Sequence, residues 1–194
     1  EYEHVILLEK DQQDQPIYAA DASGLTPSIL RNFSAPATID DDLSRDERRH
    51  IMRYDTDLFN RWDSAQTLIS DEILTAAANP LAPVDDYAIA ALADGFGHIL
   101  ADPSCLDYFK AAILTLPAIS VLESRMTPAD PVALFHARLA VETALGQHMQ
   151  DHYKQALDPQ TSAKLAVTSG GRALRNRLLA LAIAAGDGAA DDVA

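Results

Sequence analysis

His148 and His152, in the stretch "QHMQDH" (147–152), stand four residues apart with Asp151 between them. On a helix, positions i and i+4 share a face, which is how two imidazoles grip one zinc ion. The zincin motif H-E-x-x-H has this spacing, and the inverted form H-x-x-E-H differs here only by Asp in place of Glu. The chemistry would be hydrolysis by a metal-bound water, and the neighbouring residues argue against it. A zincin needs Glu directly after its first His as general base, where this chain has Met149. The inverted form would use Asp151, which reaches such a water poorly. A third ligand is also required, and neither Glu nor His follows His152. Both histidines fall on the side of the helix that carries Val141, so they read as core or boundary histidines and no metal site is expected.

The other reactive residue types give equally little. Cys105 is the single cysteine, so an internal disulfide is impossible. It follows Pro103 and Ser104 at an expected helix start, where amide dipoles favour a thiolate. Asp102 and Asp107 oppose that, and a half-buried structural thiol is the preferred reading. "TSGGRALRN" (168–176) places two glycines before a helix and an arginine inside it, an arrangement able to hold an anion. It lacks the Lys-Ser/Thr ending of a phosphate loop, so a flexible turn is expected. The acidic clusters at 40–42, 85–86 and 191–192 lack the spaced ligands and turn glycine of a calcium loop and read as solvated charges. Spacing supports no Ser-His-Asp set. The expected list of catalytic, cofactor-binding and metal-binding residues is therefore empty.

These residues must be carried by 194 positions, room for one large domain or two smaller ones. Fifteen Lys and Arg oppose twenty-nine Asp and Glu, a net charge of −14. Phosphate backbones and anionic lipid surfaces are repelled by most faces of such a molecule, which argues against nucleic-acid and membrane partners. No apolar run approaches the roughly 20 residues that span a bilayer. No signal peptide is visible, and a cytoplasmic location is the expectation. The opening "EYEHVILLEK" has no Met and begins in a strand-like run, and "GDGAADDVA" stops just past a helix. Both ends are expected to be cuts through something longer, which would leave surfaces open to self-association.

"HVILLE" and "PIYAA", separated by a polar turn, predict strands over 4–8 and 16–20. From Ser44 the pattern is helical. Ser44 with Glu47 forms a capping box, and Asp57 starts a helix with an apolar stripe at Trp62, Ala65, Ile69 and Ile73. Further helices are expected over 84–101, 104–116, 118–125, 131–157 and 161–185. Pro103, Pro117, the Asp130–Pro131 pair and Gly186 mark the boundaries. The expected class is mainly α: a short β segment, then an α-solenoid or superhelix of antiparallel helices. In "DTDLFNRWDSAQ" (55–66), Trp62 is expected to be a buried anchor. Gln66 is expected to find its hydrogen-bond partner in the strand segment, which makes this stretch the joint between the two parts.

"PSILRNFSAP" (27–36) followed by "DTDLFNRWDSAQ" closely resembles bacterial aminopeptidase N, a zinc-dependent alanyl aminopeptidase of the gluzincin family. The agreement continues in order through "ILTLP" (113–117), "DPVALFHAR" (130–138) and "RALRNRLLALA" (172–182). Arg31, Phe33, Ser34, Pro36, Phe59, Arg61, Trp62 and Gln66 recur together in that family at this spacing. The resemblance implies a piece of a four-domain enzyme. Residues 1–43 would be the last strands of an Ig-like β-sandwich, and 44–194 the first part of the C-terminal helical superhelix. The family's zinc ligands, exopeptidase motif and catalytic Tyr lie upstream, so none is carried onto a position here. The resemblance implies zinc and peptide substrates for the intact parent, and for this chain a structural role in shaping and capping the catalytic chamber. It also implies that the chain alone is inactive. The alternative is a free-standing helical-repeat interaction module.

Overall fold

The computed structural model describes residues 25–33 and 41–187. Among the described residues the regular elements are helical. The strands expected over 4–8 and 16–20 lie outside the described residues. A short 3-10 turn, Arg31–Phe33, precedes α1 (Arg45–Tyr54) and α2 (Leu58–Ala78). Then come α3 (Asp86–Ala101), α4 (Asp107–Ile113), α5 (Ile119–Glu123), α6 (Pro131–His148), α7 (Gln150–Leu157), α8 (Pro159–Leu165) and α9 (Ser169–Ala184).

The starts follow local chemistry. Ser44 and Glu47 form the reciprocal capping box expected of them. Asp57, Asp85 and Asp130 each accept a main-chain N–H of the first turn of α2, α3 and α6. At the far end Gly186 adopts the left-handed conformation, φ 73°, and Asp187 N–H reaches back to the Ala182 carbonyl at 3.1 Å. That closes α9 as a Schellman turn.

Two expected helices are split. The one expected over 131–157 breaks at Met149, which leaves helical geometry at φ −97°, ψ 13° and turns its side chain fully inward. The one expected over 161–185 becomes α8 and α9. Asp158 caps α8 with Pro159 in its first turn, and Thr168 caps α9. The Asp158–Pro159 pair is the same signal as Asp130–Pro131. Helix α4 is also shorter than expected, beginning at Asp107.

Helix α6 is the hub, packing on α2, α3, α5 and α9. Its inward face is Leu134, Ala137, Val141 and Leu145, all buried in one continuous core. Gly146 lets α9 come close: a Cβ there would lie 2.4 Å from the Leu181 carbonyl oxygen. The apolar periodicity thus produces one packed helical assembly, and the polar exceptions inside it are few.

Candidate functional site

The densest polar construction is the corner where residues 25–33 meet α1 and α2. Asp57 caps α2 with one carboxylate oxygen, accepting from Asn60 N–H, and accepts the Asn32 N–H at 2.7 Å with the other. Asn60 Nδ2 donates to Ser28 Oγ at 2.7 Å and to the Ile29 carbonyl at 3.0 Å. Arg31 donates to Asp55 Oδ1 at 2.8 Å and to the Thr56 hydroxyl. Leu30 and Asn32 both have positive φ, 53° and 55°, a region costly for residues with a Cβ, and these bonds hold the segment there.

One turn into α2, Arg61 is 4% exposed. Its Nε donates to the Met52 carbonyl at 3.0 Å, an orphan acceptor in the last turn of α1. Its Nη1 reaches Asp102 Oδ2 at 3.2 Å and Cys105 Sγ at 3.1 Å. The guanidinium carbon lies 5.8 Å from the centre of the Phe109 ring. A single cation therefore ties α1, α2, the α3–α4 loop and α4 together. Asp102 is held well below the usual carboxylate range, first by the Ser104 hydroxyl and amide and also by Cys105 and Arg61. Burial pushes the Cys105 thiol up, so it stays protonated at neutral pH and is a poor nucleophile.

This corrects the expectation for Trp62, which is half-buried at the rim of the core with its ring 5.8 Å from that of Phe59. Arg61, noted from the sequence only among the residues that recur in the resembled family, is the buried anchor. The signal was its place on the helix face that continues through Ala65, Leu68 and Glu72, all buried. Gln66 donates to the Thr115 carbonyl at 3.0 Å, after α4, while the strand segment expected to partner it lies outside the described residues.

The two histidines do not face one site. His148 ends α6 and its Nε2 lies 2.8 Å from Asp86 Oδ1 at the start of α3. His152 lies on α7, stacked on Gly97 of α3, where a Cβ would sit 2.5 Å from its Nε2. His152 lines an open cleft of about 260 Å³ with Arg53, Tyr54, Asp94 and His98. Among the described residues no three His, Cys, Asp or Glu side chains are grouped so that they could hold a metal ion. The described residues therefore supply no site for the zinc that the resemblance implies for the intact parent.

In "TSGGRALRN", Thr168 caps α9 by accepting Gly171 N–H at 2.9 Å. A Cβ at Gly171 would lie 2.1 Å from the Leu165 carbonyl oxygen, so the glycine serves a tight corner. Arg172 turns back onto the Ala166 and Val167 carbonyls at 3.1 and 3.4 Å. Sequence reasoning missed a second polar latch. Tyr153 and Gln150 donate to Asp187 Oδ2 at 2.9 and 3.0 Å, and burial with that hydrogen bond pushes the Tyr153 phenol up to about 12. No local motif announces it, because its halves lie on α7 and beyond α9.

Comparison with known proteins gives consistent relatives. The family model described as "Domain of unknown function (DUF3458_C) ARM repeats" matches residues 45–194. The chain is 39% identical over 154 residues to Aminopeptidase N of Caulobacter vibrioides, covering 77% of this chain and 17% of that protein. It is 29% identical over 125 residues to Aminopeptidase N of Escherichia coli, covering 64% of this chain and 14% of that one. Among solved structures it resembles Legionella pneumophila aminopeptidase A in complex with aspartic acid, with a TM-score of 0.66 and 20% identity. That match covers 84% of this chain and 20% of the other, and at such identity it speaks for the fold alone. The chain thus spans well under a fifth of the length of the curated relatives it matches. With a family model covering the whole helical region described above, this chain belongs to the ARM-repeat family DUF3458_C.

Proposed function

We propose that this chain is a non-catalytic helical part of a zinc metallo-aminopeptidase that removes N-terminal amino acids from peptides. The observation that carries the reading is the 39% identity to an Aminopeptidase N along 154 residues. The polar architecture supports it: the buried Arg61 and its partly exposed partner Asp102 serve packing, and the Cys105 thiol is kept protonated. In this reading residues 1–43 end a β-sandwich and residues 44–194 begin the helical region that caps the catalytic chamber and limits entry to peptides. Zinc, the reacting peptide and a cytoplasmic location belong to the intact parent. The chamber-capping role requires the parent's other domains as partners.

The test exchanges the matched region of the Caulobacter vibrioides enzyme for this chain. The chimera should hydrolyse alanyl-p-nitroanilide in a chelator-sensitive way, while deletion of the region should admit longer substrates or abolish folding. The isolated chain should show no turnover and no stoichiometric zinc. Chelator-sensitive activity that follows the isolated chain through successive columns would sink the reading.

A free-standing interaction module is the second reading, favoured by the ARM-repeat description of the family. The length of the native polypeptide discriminates the two.

A further inference from the structure

Helices α1, α3 and α7 border an open cleft of about 260 Å³ lined by Arg53, Tyr54, Asp94, Gly97, His98 and His152. A Cβ on Gly97 would lie 2.5 Å from His152 Nε2, so the glycine lets that imidazole settle against the main chain of α3. The His98 ring stands edge-on to Tyr54 with centroids 5.0 Å apart, and His50 packs on Tyr54 in turn at 5.1 Å. An ion pair between Arg53 and Asp94 ties α1 to α3 beside these rings. That pair uses only part of each partner. Arg53 engages Nη2, with Asp94 Oδ2 and with the Ala91 carbonyl at 3.3 Å. Among the described residues Arg53 Nη1, Asp94 Oδ1 and the ring nitrogens of His98 and His152 make no hydrogen bond.

We propose that this cleft binds a free amino acid with an aromatic side chain, its carboxylate on Arg53, its ammonium on Asp94 and its ring against Tyr54, His98 and His152. The charges select the ligand. One cation and one anion stand side by side, so a zwitterion gains a charge-assisted hydrogen bond at each end. A simple anion would meet Asp94 and a simple cation would meet Arg53, each at a cost. An apolar molecule would cover these polar groups without pairing them. A metal ion is not served, because no three donors among the described residues are grouped to hold one. Size selects as well: about 260 Å³ lies below the roughly 300–1,000 Å³ of pockets for drug-sized ligands and suits a single amino acid. Rings in the lining favour a ring in the ligand, since offset and edge-on aromatic pairs add to plain area burial. The site does not rest on the aminopeptidase reading. Binding to the isolated chain involves no turnover, so the two readings fail separately.

The test titrates L-phenylalanine into the full 194-residue chain, read by saturation-transfer NMR. The comparison probes are phenethylamine, which lacks the carboxylate, hydrocinnamate, which lacks the ammonium, and L-alanine, which lacks the ring. L-phenylalanine should bind saturably. Each comparison probe should bind at least about tenfold more weakly, the scale of one lost charge-assisted hydrogen bond. Asp94→Asn and Tyr54→Ala, at positions 74% and 56% exposed, should each weaken L-phenylalanine by a similar factor without moving the thermal midpoint. Asp46→Asn, an acid 89% exposed on α1, should leave binding unchanged. No saturable binding, equal binding of any comparison probe, or indifference to both cleft variants would overturn the proposal. Equal loss in Asp46→Asn would overturn it in favour of a general effect of surface charge.

Discussion

At the α1–α2 corner the helices are joined through a buried guanidinium, whereas at the α6–α9 seam they meet almost backbone to backbone. Arg61 satisfies a helix-end carbonyl, a carboxylate and a thiol at once, and each of those partners is specific in direction. Gly146 satisfies nothing. It removes volume so that the Leu181 carbonyl can approach, and apolar side chains fill the rest. The contrast teaches that two junctions of similar burial fail in different ways. A polar knot that loses its centre strands buried hydrogen-bonding groups, while an apolar seam loses only fit.

The largest expected effect tests the knot. Arg61→Met keeps most of the volume but leaves the Met52 carbonyl and Asp102 without their cation. It should cost about 3 kcal/mol in chemical denaturation, the upper range for stranding a buried hydrogen-bonding group, since Asp102 stays partly exposed to water. A loss below about 1 kcal/mol would show that water replaces the guanidinium and that the knot is dispensable.

Trp62→Ala comes next, at roughly 2–3 kcal/mol, below the 3–5 typical of a fully buried aromatic because the residue is only partly buried against the core. If it costs more than Arg61→Met, the packing anchor read from the sequence is the right one and the comparison inverts.

Gly146→Ala tests the seam. A helix-interior Gly→Ala change alone stabilises by about 1 kcal/mol. Here the added Cβ collides with main chain, and a net loss of roughly 1–2 kcal/mol is expected from overpacking. A raised thermal midpoint would mean that α9 can slide away and that the seam is soft.

The smallest effect is a pH dependence at the α7–α9 latch. The folded phenol of Tyr153 is raised to about 12, above an ordinary value near 10. The folded state therefore keeps a proton that the unfolded state has lost. The stabilisation is fully present below about pH 10 and is lost as pH rises from there through 12. Tyr153→Phe should flatten stability across that window. An unchanged alkaline slope would assign it to other groups.

Much of the helical layout was legible because caps act over three or four residues. Ser44, Asp57, Asp85 and Asp130 sit where short-range chemistry puts them. The breaks at Met149 and at 166–168 were harder to see for opposite reasons. Met149 is a good helix former displaced by packing against the core, whereas Asp158–Pro159 was a readable start signal inside a stretch whose apolar pattern suggested continuity. The absence of a paired metal geometry at His148 and His152 was argued from missing companions, but the actual partners, Asp86 and Gly97, are 62 and 55 positions away in the chain. Nothing local names them.

By itself the sequence determined the mainly α class, most helix starts and the acidic surface, since periodicity, caps and formal charge are properties of neighbours along the chain. Tertiary structure alone decided that Arg61 is buried while Trp62 lies at the rim. The two residues are adjacent on one helix, so local propensity cannot separate them. The choice is made by the Met52 carbonyl, Asp102 and Cys105, which lie 9, 41 and 44 positions away. Once those acceptors converge on one side of α2, satisfying them costs less than leaving them dry, and the helix settles with its arginine turned inward.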